Sequence, residues 1–380
     1  MAAVTSALVI GGGIGGLTAA IALRQQGITV DLIEIQRDWT VYGVGIIQPN
    51  NTLRALAKIG LADACIAQGG PFPGWRLHDA HGHALFDAAG SSAAAPEYPP
   101  NNGITRPILH RLLCDCAAAA GVEVRLGTTA EAFEPHDDGV TVTFNDAATC
   151  RYDLVVASDG LNSKTRGKLF PDAPKPRFTG QGVFRYNLPR PADMAWGEVH
   201  ASAAAKVGLV PMASDLMYMF VVAPHVDLAR DDPQLANIMR SHLTGFTGPI
   251  AELGRLITDP AGVVYRPMET VLLEPRWHRD RIVVIGDAAH ATTPHLAQGA
   301  AMAIEDAVLL AEMLGSGAPA DLDAILTAFS ARRLPRAKYV IDSSLQIAAW
   351  EMDEWAGVHN EDANPGMLLG QATHALMAAY

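Results

Sequence analysis

The chain has 380 residues, enough for two hydrophobic cores, and its 49% hydrophobic and 18% charged content belongs to a folded globular protein. A formal net charge of −12, with no block of lysine or arginine, excludes nucleic acid and an anionic membrane surface as main partners. Its four cysteines, Cys65, Cys114, Cys116 and Cys150, show neither metal-ligand spacing nor a disulfide framework, and no signal peptide or membrane-length apolar run is visible, so a metal-free, cytoplasmic protein with reduced thiols is expected.

The stretch from Val4 to Glu34 is the strongest local signal. Ala7 to Ile10 is an apolar run of strand length. Gly11, Gly13 and Gly16 follow at G-x-G-x-x-G spacing, then a helical segment from Leu17 to Gln25 that stops at Gly27. A second strand, Thr29 to Ile33, ends on the acid Glu34. This is the strand–helix–strand unit that binds a dinucleotide. Gly11 allows the tight turn, Gly13 lets a pyrophosphate reach the backbone, and Gly16 lets the helix pack close to the sheet. The helix N-terminus presents free N–H groups and partial positive charge to the phosphates. Glu34 accepts from ribose hydroxyls and repels a 2′-phosphate, which points to FAD or NAD. A glycine-rich turn that binds nothing is the competing reading.

Further along, Gly43 and Gly45 suggest backbone close to a ligand, or a plain turn. Asn51 to Ile59 reads as helix, and Ala62 to Ala95 holds no long periodic element. His78, His81 and His83 read as exposed hairpin histidines, since a metal site needs further ligands. Arg106 precedes a helix from Ile108 to Ala120. Val122 to Arg125, Val140 to Phe144 and Asp153 to Ala157 read as strands, the last running into Asp159-Gly160. From Phe170 prolines become frequent and the strands (Gly182 to Leu188, Val207 to Pro211, Leu216 to Ala223, Val263 to Leu272) read as antiparallel, with helices at Pro233 to Thr244 and Ile250 to Ile257. Arg281 to Ile285 is a buried strand ending at Gly286-Asp287, and a helix runs from Gln298 or Gly299 to Leu314. Ala324 to Arg333 and Ala337 to Trp350 read as two helices separated near Pro335, because proline breaks a helix interior. Met367 to Met377 reads as a last helix.

Three glycine–acid signatures thus occur in order: Gly11 to Gly16 with Glu34, Asp159-Gly160, and Gly286-Asp287. With these three in this order the chain resembles the class A flavoprotein aromatic hydroxylases, the para-hydroxybenzoate and salicylate hydroxylase type, over about its whole length to Tyr339. The resemblance implies an α/β fold: a Rossmann-like FAD-binding domain of glutathione-reductase type with an inserted antiparallel-sheet substrate domain and C-terminal helices. It implies a discontinuous FAD-binding domain over 1–70, 100–170 and 276–340, a substrate domain over 71–99 and 171–275, and a C-terminal helical segment over 341–380.

By the same resemblance Gly11, Gly13, Gly15 and Gly16 hold the FAD pyrophosphate and Glu34 the adenosine ribose. Gly45 lies beside the flavin, Arg106 touches the ribityl–phosphate part, Asp159 serves the second fingerprint with Arg166, and Asp287 bonds the ribityl hydroxyls. Pro294, Gln298, Gly299 and Ala300 line the pyrimidine edge, where a helix N-terminus stabilises the negative charge of reduced flavin. For Asp287 a helix-capping aspartate is the alternative. The implied activity is monooxygenation of an activated aromatic or N-heteroaromatic substrate with NADH or NADPH and O2, through a flavin C4a-hydroperoxide; a homodimer is the family expectation. No second nucleotide fingerprint follows a strand, so no separate nicotinamide domain is expected.

Substrate residues are expected on the antiparallel domain: Arg185, binding a substrate anion or else paired with an acid; Tyr218, proton donor or core aromatic; and His295, proton relay or loop residue. Relatives acting on hydroxynicotinate carry a histidine where this chain reads Ile46-Ile47-Gln48, and a tyrosine-rich strand where it reads Gly208 to Met212, so a more apolar pocket is expected. Two other readings stand beside this one: a tailoring or drug-modifying flavin monooxygenase on a larger polycyclic substrate, and a flavin-binding protein without oxygenase activity. A halogenase is disfavoured because no W-x-W-x-I-P motif is present.

Overall fold

The computed structural model describes residues 4–39, 41, 43–213, 215–229, 231–316 and 322–380; Tyr42, beside the Gly43 and Gly45 pair, lies outside them. Strands Ser6–Ile10, Leu154–Ala157 and Ile282–Val284 are almost wholly apolar and buried, the pattern of strands covered on both faces. They lie side by side and in parallel in a six-stranded sheet ordered His278–Arg279, Ile282–Val284, Leu154–Ala157, Ser6–Ile10, Thr29–Glu34, Glu123–Leu126. Helix Ile14–Gln25 packs on helix Gly299–Gly315 over this sheet, and their alanines let the axes approach closely. All three glycine–acid signatures follow the C-terminal ends of neighbouring strands, where ligands of open parallel sheets bind.

A seven-stranded sheet carries the second core, in the order Val264–Thr270, Arg177–Pro189, Leu216–Pro224, Lys206–Pro211, Gly197–Ala201, Gly74–His78, Ala84–Ala89. Its strands are mainly antiparallel as expected, but Gly197–Ala201 pairs with Gly74–His78 in parallel. The residues before position 100 therefore complete a sheet whose other strands begin at 177. A small sheet of Gly45–Pro49, Asn101–Thr105 and Gly70–Phe72 and a meander of Ala130–His136, Gly139–Phe144 and Thr149–Tyr152 complete the β structure of the described residues.

Two expectations are corrected. The two helices expected on either side of Pro335 are one, Leu322–Trp355. Proline removes one backbone donor and crowds the preceding turn, but the flanking residues are pinned: Arg333 and Arg336 both bond Glu305 on the neighbouring helix. The expected trio of exposed histidines also divides. His81 and His83 are exposed, whereas His78 is half-buried and stacks on His200.

Candidate active site

The glycine turn is built by close contacts. Gly11 has φ +105°, a conformation that favours glycine, and its N–H donates to the Ile33 carbonyl at 2.8 Å. A Cβ on Gly16 would lie 1.8 Å from the Gly11 carbonyl oxygen, so only glycine lets the helix start against the turn. A Cβ on Gly13 would meet nothing within 4 Å. Gly13 is exposed and caps the helix without a side chain, so the first-turn N–H groups face open space. A Cβ on Gly15 would sit 2.8 Å from Ser158 Oγ and 3.2 Å from Ala303 Cβ; one on Gly286 would sit 3.0 Å from the same Ala303 atom. The structure thus brings the three signatures to one point.

Glu34 is held by backbone. One carboxylate oxygen accepts from Gly12 N–H at 2.8 Å and the other from Gln36 N–H at 2.9 Å. Sequence reasoning missed its neighbours. Trp39 lies over Gly12, its ring stands edge-on to His110 at 5.1 Å, and His110 Nε2 meets the Gly12 carbonyl at 2.9 Å. These residues and Glu34 line a cavity of about 90 Å³ at the strand ends. His110 was findable, because it sits four residues after Arg106 on the same helix face. Trp39 lies in a loop and carries no periodic signal.

The second signature is tied into its own loop. Asp159 accepts from Ser163 Oγ at 2.5 Å and from Thr165 N–H at 3.0 Å, organising the turn before helix Lys164–Leu169. Arg166 is buried and donates to the carbonyls of Leu161 and Ala288, both at 2.8 Å, joining this loop to the Gly286-Asp287 turn. Asp287 opens the short helix Asp287–His290; it is reached by water yet ringed by protein. Burial raises its carboxyl above the ordinary range, against the pull of His290 and Arg106.

Behind Asp287 lies a buried ionic cluster. Asp306 accepts from Gly286 N–H at 2.9 Å, and its carboxylate meets His290 Nε2 at 2.5 Å and Arg333 Nε at 2.6 Å. Burial alone would raise the Asp306 pKa; His290 and Arg333 outweigh it and hold the group ionised. Arg333 also donates to Glu305, which accepts from Asn51, and Asn51 bonds Gln298 just before helix Gly299–Gly315. The helix start, Gly299 and Ala300, is half-buried, and Pro294 is exposed at the head of the turn that leads to it.

Arg106, Arg185, Tyr218 and Asp287 come from four separate segments, and the Arg106 charge is felt at the other three. Burial first, then Arg106 and Arg266, lower the Arg185 pKa to about 10. Among the described residues no carboxylate forms a salt bridge with Arg185. Tyr218 is buried, and burial pushes its phenol up to about 12, so it is protonated at neutral pH. A Cβ on Gly45 would lie 2.1 Å from the Tyr218 ring, so Gly45 admits this tyrosine. Tyr218, Phe72, Val210 and Met212 form an apolar cluster with Ile47 and Trp75 at its edge.

His295 has both ring nitrogens engaged: Nδ1 at 2.9 Å from Thr293 Oγ1 and Nε2 at 3.1 Å from Glu351. Burial and then Lys206 lower its pKa, against Glu351. Glu351, also missed in sequence, is paired with Lys206 and accepts from Gln181 Nε2 at 2.9 Å. Burial would raise its carboxyl, but Lys206 and His295 hold it at about 2. The stabilisation from this ionised group is complete above its ordinary value of 4.5 and is lost as pH falls through about 2. Glu351→Gln is therefore expected to lower the melting temperature most above about pH 4.5 and progressively less towards pH 2. A pH-independent difference in thermal unfolding would rule out that linkage.

Residues 4–344 match the family model described as FAD binding domain. The chain is 33% identical to the "Putative FAD-dependent monooxygenase YetM" of Bacillus subtilis, over 90% of this chain and 92% of that one. It is 30% identical to the "Aurachin C monooxygenase/isomerase" of Stigmatella aurantiaca, over 90% of each. Among solved structures, Klebsiella pneumoniae HpxO complexed with FAD and uric acid superposes with a TM-score of 0.85 at 24% identity, covering 98% of this chain and 97% of that one, a likeness of fold. The chain belongs to the FAD binding domain family and is an FAD-dependent monooxygenase of the class A aromatic hydroxylase type, with NAD(P)H as co-substrate.

Proposed function

We propose that this enzyme hydroxylates an anionic, electron-rich aromatic or N-heteroaromatic ring that Arg185 holds against the apolar cluster of Phe72, Val210 and Met212. The observation that carries this reading is Arg185 itself. It is a half-buried guanidinium whose charge is disfavoured by burial, Arg106 and Arg266 and which has no salt-bridged carboxylate among the described residues, and such a group is stabilised by an anion that arrives with the substrate. Tyr218, protonated beside it, donates a hydrogen bond to a ring oxygen or carboxylate.

FAD is the group these residues fit. The open face of Gly13, the double-anchored Glu34 and the water-accessible Asp287 offer phosphate, ribose and ribityl partners along one edge of the sheet. In this reading Gly11, Gly13, Gly15 and Gly16 take the pyrophosphate, Glu34 the ribose, and Gly45 lies beside the ring. Arg106 and Asp287 take the ribityl–phosphate part, Asp159 steadies the second loop, and Pro294, Gly299 and Ala300 border the ring. When bound, FAD supplies hydride acceptance from NAD(P)H and activation of O2. The protein orients the ring of the substrate, excludes water and presents helix Gly299–Gly315 by its positive end. His295 holds its neutral ring between Thr293 and Glu351 and fixes the turn before that helix. The division into a flavin domain (1–70, 100–170, 276–340) and a substrate domain (71–99, 171–275) belongs to the same reading, supported by the passage of Gly74–His78 and Ala84–Ala89 into the seven-stranded sheet. So do a homodimer and a cytoplasmic site, the latter supported by four free cysteines.

The test is NAD(P)H oxidation by the flavin-loaded enzyme with hydroxybenzoates, hydroxypyridines and larger phenols, with product mass. Stimulation with one oxygen gained is expected for a small anionic ring, and Arg185→Met is expected to cut its kcat/KM about 100-fold, some 2.7 kcal/mol, with flavin retained. Stimulation only by large neutral rings would favour the polycyclic reading, which the apolar cluster also accommodates. An unchanged kcat/KM in the variant would remove Arg185 from the substrate site.

A further inference from the structure

Away from the flavin site, the parallel pairing of Gly74–His78 with Gly197–Ala201 sets His78 directly opposite His200, with Glu198 two residues before it. Residues opposite one another, and residues two apart on a strand, share a sheet face. The pairing therefore gathers two imidazoles and a carboxylate from segments more than a hundred residues apart. The two rings stack at 4.5 Å with planes 10° apart, and each of the three side chains brings a ligand atom within 4.8 Å of the others.

The polar bonding of this group is incomplete. His78 Nδ1 lies 3.3 Å from the Gly82 carbonyl, and its Nε2 is buried with no partner. His200 is almost wholly buried; its Nε2 meets Glu198 at 3.1 Å, and its Nδ1 is buried with no partner. With Nδ1–H donating to the carbonyl, His78 keeps a free lone pair on Nε2, the form in which histidine ligates a metal. Each ring thus keeps a buried nitrogen without a partner, an unfavourable arrangement, and both rings stand beside the Glu198 carboxylate.

We infer that His78, Glu198 and His200 form a binding site for one divalent transition-metal ion of the zinc class. Two imidazoles and a carboxylate are a zinc ligand set, with water as fourth ligand, and the Gly82 carbonyl is the outer partner that orients His78. Binding turns the two rings out of their stack so that both lone pairs meet one ion, with the donors closing to the spacing of about 3.3 Å that a tetrahedral site requires. A bound ion staples the Gly74–His78 strand to the sheet that begins at Arg177, so its effect is on the joining of distant segments and not on the redox step.

The test is calorimetric titration of Zn2+ into chelator-treated, flavin-loaded, tag-free enzyme, with metal analysis after desalting and thermal unfolding with and without the ion. One ion per chain and a raised melting temperature are expected. Affinity is expected to fall at least about 100-fold in His78→Ala and in His200→Gln, and to be unchanged when the exposed His81 and His83 are both replaced by alanine. His78→Ala, at a half-exposed ring, serves if the His200 variant does not fold. Absence of stoichiometric zinc, equal affinity in His78→Ala, or loss of binding on replacing His81 and His83 would each overturn the site.

Discussion

Gly16→Ala is expected to yield a destabilised protein that elutes without flavin. The added methyl would sit 1.8 Å from the Gly11 carbonyl oxygen, which cannot yield. Gly11 is fixed by its bond to Ile33, and behind it lies the Ser158 backbone, 2.4 Å from where its own Cβ would be. The start of helix Ile14–Gln25 must move outward instead, away from Ser158 and Ala303. Overpacking of this kind costs about 1–3 kcal/mol or more, and displacing the first-turn N–H groups is expected to weaken FAD binding by over about 100-fold. Gly13→Ala is the control. Its methyl meets only open space in the protein, so the melting temperature of the flavin-free form should match wild type while FAD affinity falls. If Gly13→Ala binds FAD normally, the pyrophosphate does not lie where the turn suggests.

The second large effect is expected at Arg333, which is fully buried between Glu305 and Asp306. Arg333→Met keeps the bulk of the side chain and removes the charge. Two buried carboxylates then lose a shared cation, and breaking such a group from one side costs about 3–5 kcal/mol. The expected fall in melting temperature for a chain of this length is about 4–6 °C. Asp306 also anchors Gly286 and His290, so the Asp287 turn should loosen and flavin should dissociate faster than from wild type. A variant that melts within about 1 °C of wild type would show that Arg336 and His290 alone balance the two acids.

How much of this was legible in the sequence depended on distance along the chain. The first βαβ unit was readable because its signals are local: an apolar strand, three glycines, an alanine-rich helix and Glu34 follow one another within one unit. The two later signatures were readable for the same reason, and their convergence at Ala303 follows from the strand order. The partners of these residues were not readable. Glu351 meets His295 across 56 positions, and Asp306 meets Arg333 across 27, with no periodicity to announce either contact. His78 was in view as a hairpin histidine, but Glu198 and His200 sit on a strand that no sequence signal had marked. Pro335 misled for a physical reason: a local rule about a missing donor was outweighed by ion pairs on both sides of it.

The uninterrupted helix across Pro335 acts as a tie rod. Arg333 fastens one part of it to the acids beneath the nucleotide sheet, and Glu351, some 27 Å further along at 1.5 Å per residue, fastens the other to Lys206 and Gln181 of the seven-stranded sheet. Prying the two sheets apart would extract a buried carboxylate from its cation. The two sheets are thus clamped through one helix, and any change in their separation has to break a buried ion pair at one end of it.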